Sequence, residues 1–159
     1  MNLHLFVIAV VLTAPSLCFA DFTGKVIKVY DGDTITVLNE QNETIKIRLN
    51  GIDAPEKAQA FGKKSQKLAA SLVMGKTVTI IDHGEDRYHR IIGDVVLEDG
   101  RVLNQELVRA GLAWWFRRYS DDRELAELEL DAKLSNSGLW RDKNAIPPWI
   151  YRKLKPIFR

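Results

Sequence analysis

The apolar positions of this chain first follow a period of two and then a helical one. Between residues 22 and 49 β-branched side chains dominate, at Val26, Ile27, Val29, Thr34, Ile35, Thr36 and Val37, the composition of strands on a half-buried sheet. Asp31-Gly32 interrupts the run as a tight turn between two strands, and residues 39–42 form a polar turn before a third. In that third strand Ile45, Ile47 and Leu49 alternate with Lys46 and Arg48, so Arg48 points away from the isoleucine face. Asn50-Gly51 turns the chain again, and Pro55 keeps the loop over 52–56 out of a helix.

The period then changes. Residues 57–74 predict a helix, because Phe61, Leu68, Leu72, Ala58 and Ala69 fall near one face and lysines on the others, and Gly75 ends it. Strand character returns over 77–81 and 91–97, with the charged segment 83–90 between them and Asp99-Gly100 as a turn. Leu103, Leu107 and Val108 predict a short helix before Gly111. A third helix starts at Ser120 or Asp121, buries Leu125, Leu128 and Ala132, and stops at Gly138. The segment 141–159 is proline-rich, aromatic and basic, and is expected to pack over the body in extended form. Short antiparallel strands interrupted and followed by helices define the fold class as α+β, a five-stranded OB-fold β-barrel with three α-helices. The domain spans 21–140.

Composition narrows the picture. The chain has 159 residues, 46% of them hydrophobic, which suits a single domain and leaves no room for a second. Residues 1–20 read as a signal peptide: an apolar run over 5–12, then Pro15, then small residues ending at Ala20. The run is shorter than the roughly 20 apolar residues of a membrane-spanning helix. One feature of the pattern is missing, since residues 1–4 hold no Lys or Arg. Export to the periplasm or the medium is expected, with no membrane contact after cleavage and a monomeric mature chain. The single cysteine, Cys18, leaves with the leader, which excludes disulfides, thiolate metal sites and a cysteine nucleophile. A net charge of +2 means that contact with a polyanion is confined to local patches. Candidates are Lys57, Lys63, Lys64 and Lys67; Arg117 and Arg118; and Arg152, Lys153 and Lys155. Read alone, each such run is as well explained as a solvated face.

Three carboxylates stand at turns or strand ends: Asp33, Asp53 and Glu56. Their oxygens suit a hard cation; calcium takes about six to eight oxygen ligands and tolerates irregular geometry, whereas magnesium is stricter. Read alone, Asp-Gly-Asp is a hairpin turn. Arg48 and Arg90 are candidate anion clamps, because a guanidinium donates two parallel hydrogen bonds to phosphate oxygens and stays charged. A lone strand arginine is ordinarily a surface residue, so the pair matters only if both converge on the carboxylates.

Four blocks occur in one order: Asp31-Gly32-Asp33-Thr34; Ile47-Arg48-Leu49-Asn50-Gly51-Ile52-Asp53-Ala54-Pro55-Glu56; Asp86-Arg87-Tyr88-His89-Arg90; and residues 103–113. In these the chain resembles the staphylococcal nuclease (thermonuclease) family, and Gly138-Leu139-Trp140 resembles the close of that family's third helix. The resemblance implies a barrel with three helices that hydrolyses phosphodiesters of DNA and RNA, leaving 3′-phosphates. It implies Asp33 and Asp53 as Ca2+ ligands, with the backbone carbonyl of Ala54. Glu56 becomes the general base or water-orienting carboxylate, and Arg48 and Arg90 hold the phosphate. Arg87, Tyr88, Arg117 and Tyr119 fall at substrate-side positions, where bases stack on aromatic faces; Tyr88 and Tyr119 are equally readable as core. Most of the acceleration in such a scheme comes from the cationic groups.

The sequence departs from the family pattern at three places. His89 stands where the family has glycine, and a turn needing positive φ would strain it. Arg117 replaces a substrate-side tyrosine, and Glu56 runs quickly into the helix without the family's basic loop. His4, His83 and His89 show no metal-ligand spacing and read as exposed or turn residues. The rival function is a binding module that has lost its chemistry, and the joint presence of Asp33, Arg48, Asp53, Glu56 and Arg90 argues against it.

Overall fold

A computed structural model describes residues 20–154. The predicted signal segment, Cys18 and Lys155 lie outside the described residues, apart from Ala20. Five strands close into a barrel: β1 (Phe22–Val29), β2 (Thr34–Leu38), β3 (Thr44–Leu49), β5 (Thr77–Glu85) and β6 (Ile91–Val96), in the order β1-β2-β3-β6-β5. All neighbours are antiparallel except β3 and β6, which run parallel with Ile47 across from Ile91 and Arg48 across from Ile92. A two-stranded ladder outside the barrel joins β4 (Ile52–Asp53) to β7 (Trp114–Trp115), with Asp53 across from Trp114. The helices are α1 (Gly62–Val73), α2 (Leu103–Arg109), α3 (Arg123–Leu134) and α4 (Pro148–Leu154), with a 3-10 turn over Gly138–Arg141.

The alternation read from the sequence is the one that fills the barrel. Val26, Ile35, Val37, Ile47, Ile80 and Val95 are all fully buried, and at about 25 cal/mol per Å2 of apolar surface removed from water such side chains are the main source of stability. α3 starts two or three residues later than expected because Asp122 is its cap, accepting from the amides of Glu124 at 2.8 Å and Leu125 at 3.3 Å.

Three further boundaries differ from expectation. β5 runs on to Glu85, through part of the charged segment, because that segment pairs with β6 across an irregularity between Asp82 and Glu85. α1 begins only at Gly62, since residues 57–61 are spent on turns in which Gly62 N–H bonds to Gln59 O and Phe61 takes φ 66°. The tail is not extended: Pro148 opens α4 as a first-turn proline, where its missing N–H costs nothing. The fold is thus the α+β OB-type barrel expected, with four α-helices among the described residues where three were expected.

Candidate active site

The site is assembled from two turns and one strand. β1 and β2 are joined by the Asp31-Gly32-Asp33 turn, closed by Tyr30 N–H to Thr34 O at 2.9 Å. Gly32 is needed there for space: a Cβ would lie 1.8 Å from Ser65 Oγ of α1 and 2.7 Å from Ala54 Cβ. The turn can therefore seat against α1 and the 53–54 segment, and Asp33 Oδ2 accepts from Ala54 N at 2.6 Å. Leu49 N donates to Asp33 O at 2.8 Å, which ties the end of β3 to the same turn.

Arg48, on the outward face of β3, lies between the two aspartates. Its Nη2 is 3.2 Å from Asp33 Oδ2 and 3.1 Å from Asp53 Oδ1, while Nη1 donates to Leu49 O at 3.0 Å. Asp53 is 1% exposed and Asp33 5%. Burial, and then the charge of Asp33, push the Asp53 carboxyl above its ordinary pKa, opposed by hydrogen bonds from Arg152 and the charge of Arg48. Asp31 is pushed up to about 7, by burial first and by the neighbouring Asp33 charge second. The pocket is short of positive charge for the acids it holds.

Two buried carboxylates close enough to share one guanidinium nitrogen are spaced to share a metal ion. Both offer hard oxygens, the donor type of calcium or magnesium. Among the described residues no three His, Cys, Asp or Glu side chains gather around one point. A cation held by Asp33 and Asp53 must therefore complete its shell with backbone carbonyl, water or substrate oxygens, as calcium readily does.

The structure brings Asp33, Arg48, Asp53, Ala54 and Glu56 together. Arg90 ends the turn that leads into β6, one residue before β6 pairs with β3. Its guanidinium is bound by Asp86, at 2.8 Å from Nε and 2.6 Å from Nη2, and does not touch the carboxylates. Burial alone would raise the Asp86 carboxyl, but its bonds from the Arg90 side chain and from the amides of Arg90 and Tyr88 outweigh this and hold it low. His89 takes φ 58° in that turn, the left-handed conformation expected to strain a non-glycine residue. Tyr88 is exposed, not core, and the Arg87 and Arg90 guanidiniums lie 4.8 and 5.4 Å from its ring centre.

Arg117 and Tyr119 follow β7 on the side leading away from Asp53: Trp114 lies across from Asp53, Trp115 across from Ile52, and Phe116 N donates to Gly51 O at 2.8 Å. Tyr119 is exposed and packs on Phe116 at 4.8 Å. Arg117 is held over the Trp115 ring at 5.1 Å by Glu129, whose Oε2 accepts from Arg117 Nη2 at 2.9 Å. A cleft of about 670 Å3 opens here, lined by Trp115, Arg117, Tyr119, Trp149 and Lys153 among others. His83 pairs with Asp94 at the surface, and His89 with Glu85.

Sequence reasoning missed three participants. Glu129 reads as one more acid on a helix, yet it is 2% exposed and also binds Trp115 N and Lys133. Asp31 reads only as a turn residue. Arg152 belongs to a basic run noted at the chain's end, but nothing local says that it binds Asp53 and Glu56.

A closed β1-β2-β3-β6-β5 barrel with paired acids and an arginine on its β1–β2 turn, β3 and the following loop defines an OB-fold protein with a buried acid–arginine cluster. Residues 46–142, more than half of the chain, match the family described as "Staphylococcal nuclease homologue". Over 155 residues it is 43% identical to an Escherichia coli protein named "Uncharacterized endonuclease", covering 98% of this chain and all of that one. It is 42% identical over 135 residues to a Haemophilus influenzae protein of the same name, covering 85% of this chain and 75% of that one. A Shigella flexneri "Micrococcal nuclease" is 38% identical over 155 residues, covering 91% and 88% respectively. The chain belongs to the staphylococcal nuclease family.

Proposed function

We propose that this protein is an exported, calcium-dependent endonuclease that hydrolyses phosphodiester bonds of DNA and RNA with little sequence specificity, leaving 3′-phosphates. The observation that carries the reading is Arg48 Nη2 lying within 3.2 Å of both Asp33 and Asp53, two buried carboxylates beside Glu56. Family membership and relatives named endonuclease and micrococcal nuclease support the same reaction class.

Asp33 and Asp53, with the Ala54 carbonyl, are the groups that would hold the ion. When bound, calcium supplies positive charge against the phosphate oxygens, a Lewis-acid contribution. The Arg48 fork turns from the carboxylates to the phosphate, donating hydrogen bonds that strengthen as charge builds in the transition state. Arg90 adds a second fork from the turn that leads into β6. Glu56 takes up a proton from the attacking water or aims it, help typically worth about a hundred-fold to ten-thousand-fold. Tyr88 and Tyr119 offer stacking faces to flanking bases, and Arg87 and Arg117 meet neighbouring phosphates. The signal peptide over 1–20 directs the chain to the periplasm or the medium, where it acts as a monomer.

The test incubates the purified protein with single-stranded DNA, duplex DNA and RNA in calcium, in magnesium and in chelator. Calcium-dependent cutting of all three to products with 3′-phosphate ends is expected, with activity abolished in Arg48→Ala. Cutting that survives chelation would remove the metal assignment. Binding without cutting under every condition would favour a silent nucleic-acid-binding module.

A further inference from the structure

The tail carries a cation into the centre of the site. Three contacts seat it: Gln59 Nε2 donates to Ile146 O at 2.6 Å, Trp149 stacks on Phe116 at 5.1 Å, and Trp149 meets Trp114 edge-on at 5.7 Å. From there Arg152 grips Asp53 with both ends of its guanidinium, Nη2 to Oδ2 at 2.7 Å and Nη1 to Oδ1 at 3.2 Å, and Nη1 also donates to Glu56 Oε1 at 3.0 Å. Asp53 Oδ1 accepts from Arg48 as well. Both oxygens of a carboxylate with 1% exposure are therefore occupied, and Glu56, the group assigned to the water, is engaged too.

We infer that Arg152 is a tethered stand-in for the site's cation, holding Asp53 and Glu56 in an inactive arrangement that calcium binding must dismantle by releasing Arg152, and α4 with it. This rests on the calcium reading above. Charge counting supports a competition. Among the acids that the two guanidiniums touch, Asp33, Asp53 and Glu56 set against Arg48 and Arg152 leave one uncompensated negative charge. A divalent ion in place of Arg152 removes it, whereas losing Arg152 with no replacement doubles it, in a pocket where bare charge is expensive. Arg152 therefore protects the metal-free protein and opposes the ion for the same lone pairs.

The tail is also constructed to let go. α4 has seven residues, far below the length at which a helix persists by itself, so it is helical only while docked. The Arg152 side chain is 44% exposed and needs little rearrangement to reach solvent. By linkage, whatever factor calcium loses in affinity to Arg152, the docked tail loses to calcium.

The experiment titrates calcium by calorimetry into wild type, Arg152→Gln, Arg152→Lys and Lys153→Gln, with circular dichroism to show that each is folded. Hydrogen exchange over 148–154 is followed in calcium and in chelator. Expected are calcium binding about ten-fold tighter in Arg152→Gln, an intermediate gain in Arg152→Lys, which keeps the charge but not the fork, and no change in Lys153→Gln. Calcium should speed exchange of 148–154 in wild type, and in Arg152→Gln exchange should already be fast in chelator. Equal affinities in wild type and Arg152→Gln, weaker binding in Arg152→Gln, or slower tail exchange in calcium would each overturn the inference while leaving the calcium site standing. Absence of binding in every variant would overturn the calcium reading itself, and this inference with it.

Discussion

At the scale of single residues the site depends on approach distances as much as on chemical groups. Asp33 meets Ala54 and Arg48 only because the turn carrying it lies flush against α1, and Gly32 is the residue that permits this. In Gly32→Ala the new methyl would overlap Ser65 Oγ, a buried hydroxyl with no partner of its own, and the Ala54 methyl. The turn has to move out, taking Asp33 with it. Overpacking of this kind costs about 1–3 kcal/mol, and a catalytic group misplaced by about 1 Å costs on the order of a hundred-fold in rate. Gly32→Ala should thus keep a cooperative thermal transition, somewhat lowered, while kcat falls about a hundred-fold and calcium affinity weakens. A variant with unchanged calcium affinity and rate would show that the turn tolerates the displacement and that Asp33 is not placed by Gly32.

At the scale of elements, Asn104 does for the framework what Gly32 does for the turn. It is 1% exposed at the start of α2. Its Oδ1 accepts from Val95 N at 3.1 Å, and its Nδ2 donates to Asn50 O at 2.9 Å and Asp94 Oδ1 at 2.9 Å. One amide thereby fastens α2 to β6 and to the turn that leads from Arg48 to Asp53. Asn104→Ala leaves a buried amide and a buried carbonyl without partners, each worth about 1–3 kcal/mol. A loss of about 2–4 kcal/mol in urea unfolding is expected, and no smaller a loss in Asn104→Asp, which keeps the acceptor but sets a second carboxylate oxygen against Asp94 Oδ1 and the Asn50 carbonyl where the amide donated. The barrel itself was legible in the sequence because a period of two over Ile45, Ile47 and Leu49 is a physical statement about which face is buried, and those faces are the ones that closed. Boundaries were less legible where pairing partners decide them: β5 continues through charged residues because β6 lies alongside, and the tail becomes helical because Phe116 and Trp114 give Trp149 a seat. The positive φ of His89 was legible as a departure from the family's glycine. Asp33, Arg48, Asp53 and Glu56 were legible as a set through the order of the motif blocks. The Arg152 contact was not, since it joins residues 99 apart and depends on where a short helix docks.

At the scale of the whole molecule, charge is arranged locally. A net charge of +2 gives little long-range pull on a polyanion, so attraction to nucleic acid must come from the guanidiniums around the site. Arg48 lies on β3, Arg87 and Arg90 in the turn before β6, and Arg117 just after β7 of the β4–β7 ladder. With roughly three to four phosphates contacted, the logarithm of affinity for a single strand should fall against the logarithm of monovalent salt with a slope of about −2 to −3. Doubling the salt at saturating calcium should therefore raise KM for single-stranded DNA by about four-fold to eight-fold, while kcat stays nearly constant, because charges buried beside the reacting phosphate are screened far less than exposed ones. The measurement is a set of KM and kcat values across a salt series. A slope steeper than about −5 would mean that lysine runs remote from the site, such as Lys63, Lys64 and Lys67 on α1, also track the strand. A flat series would mean that stacking on exposed aromatic faces, not charge, holds the substrate.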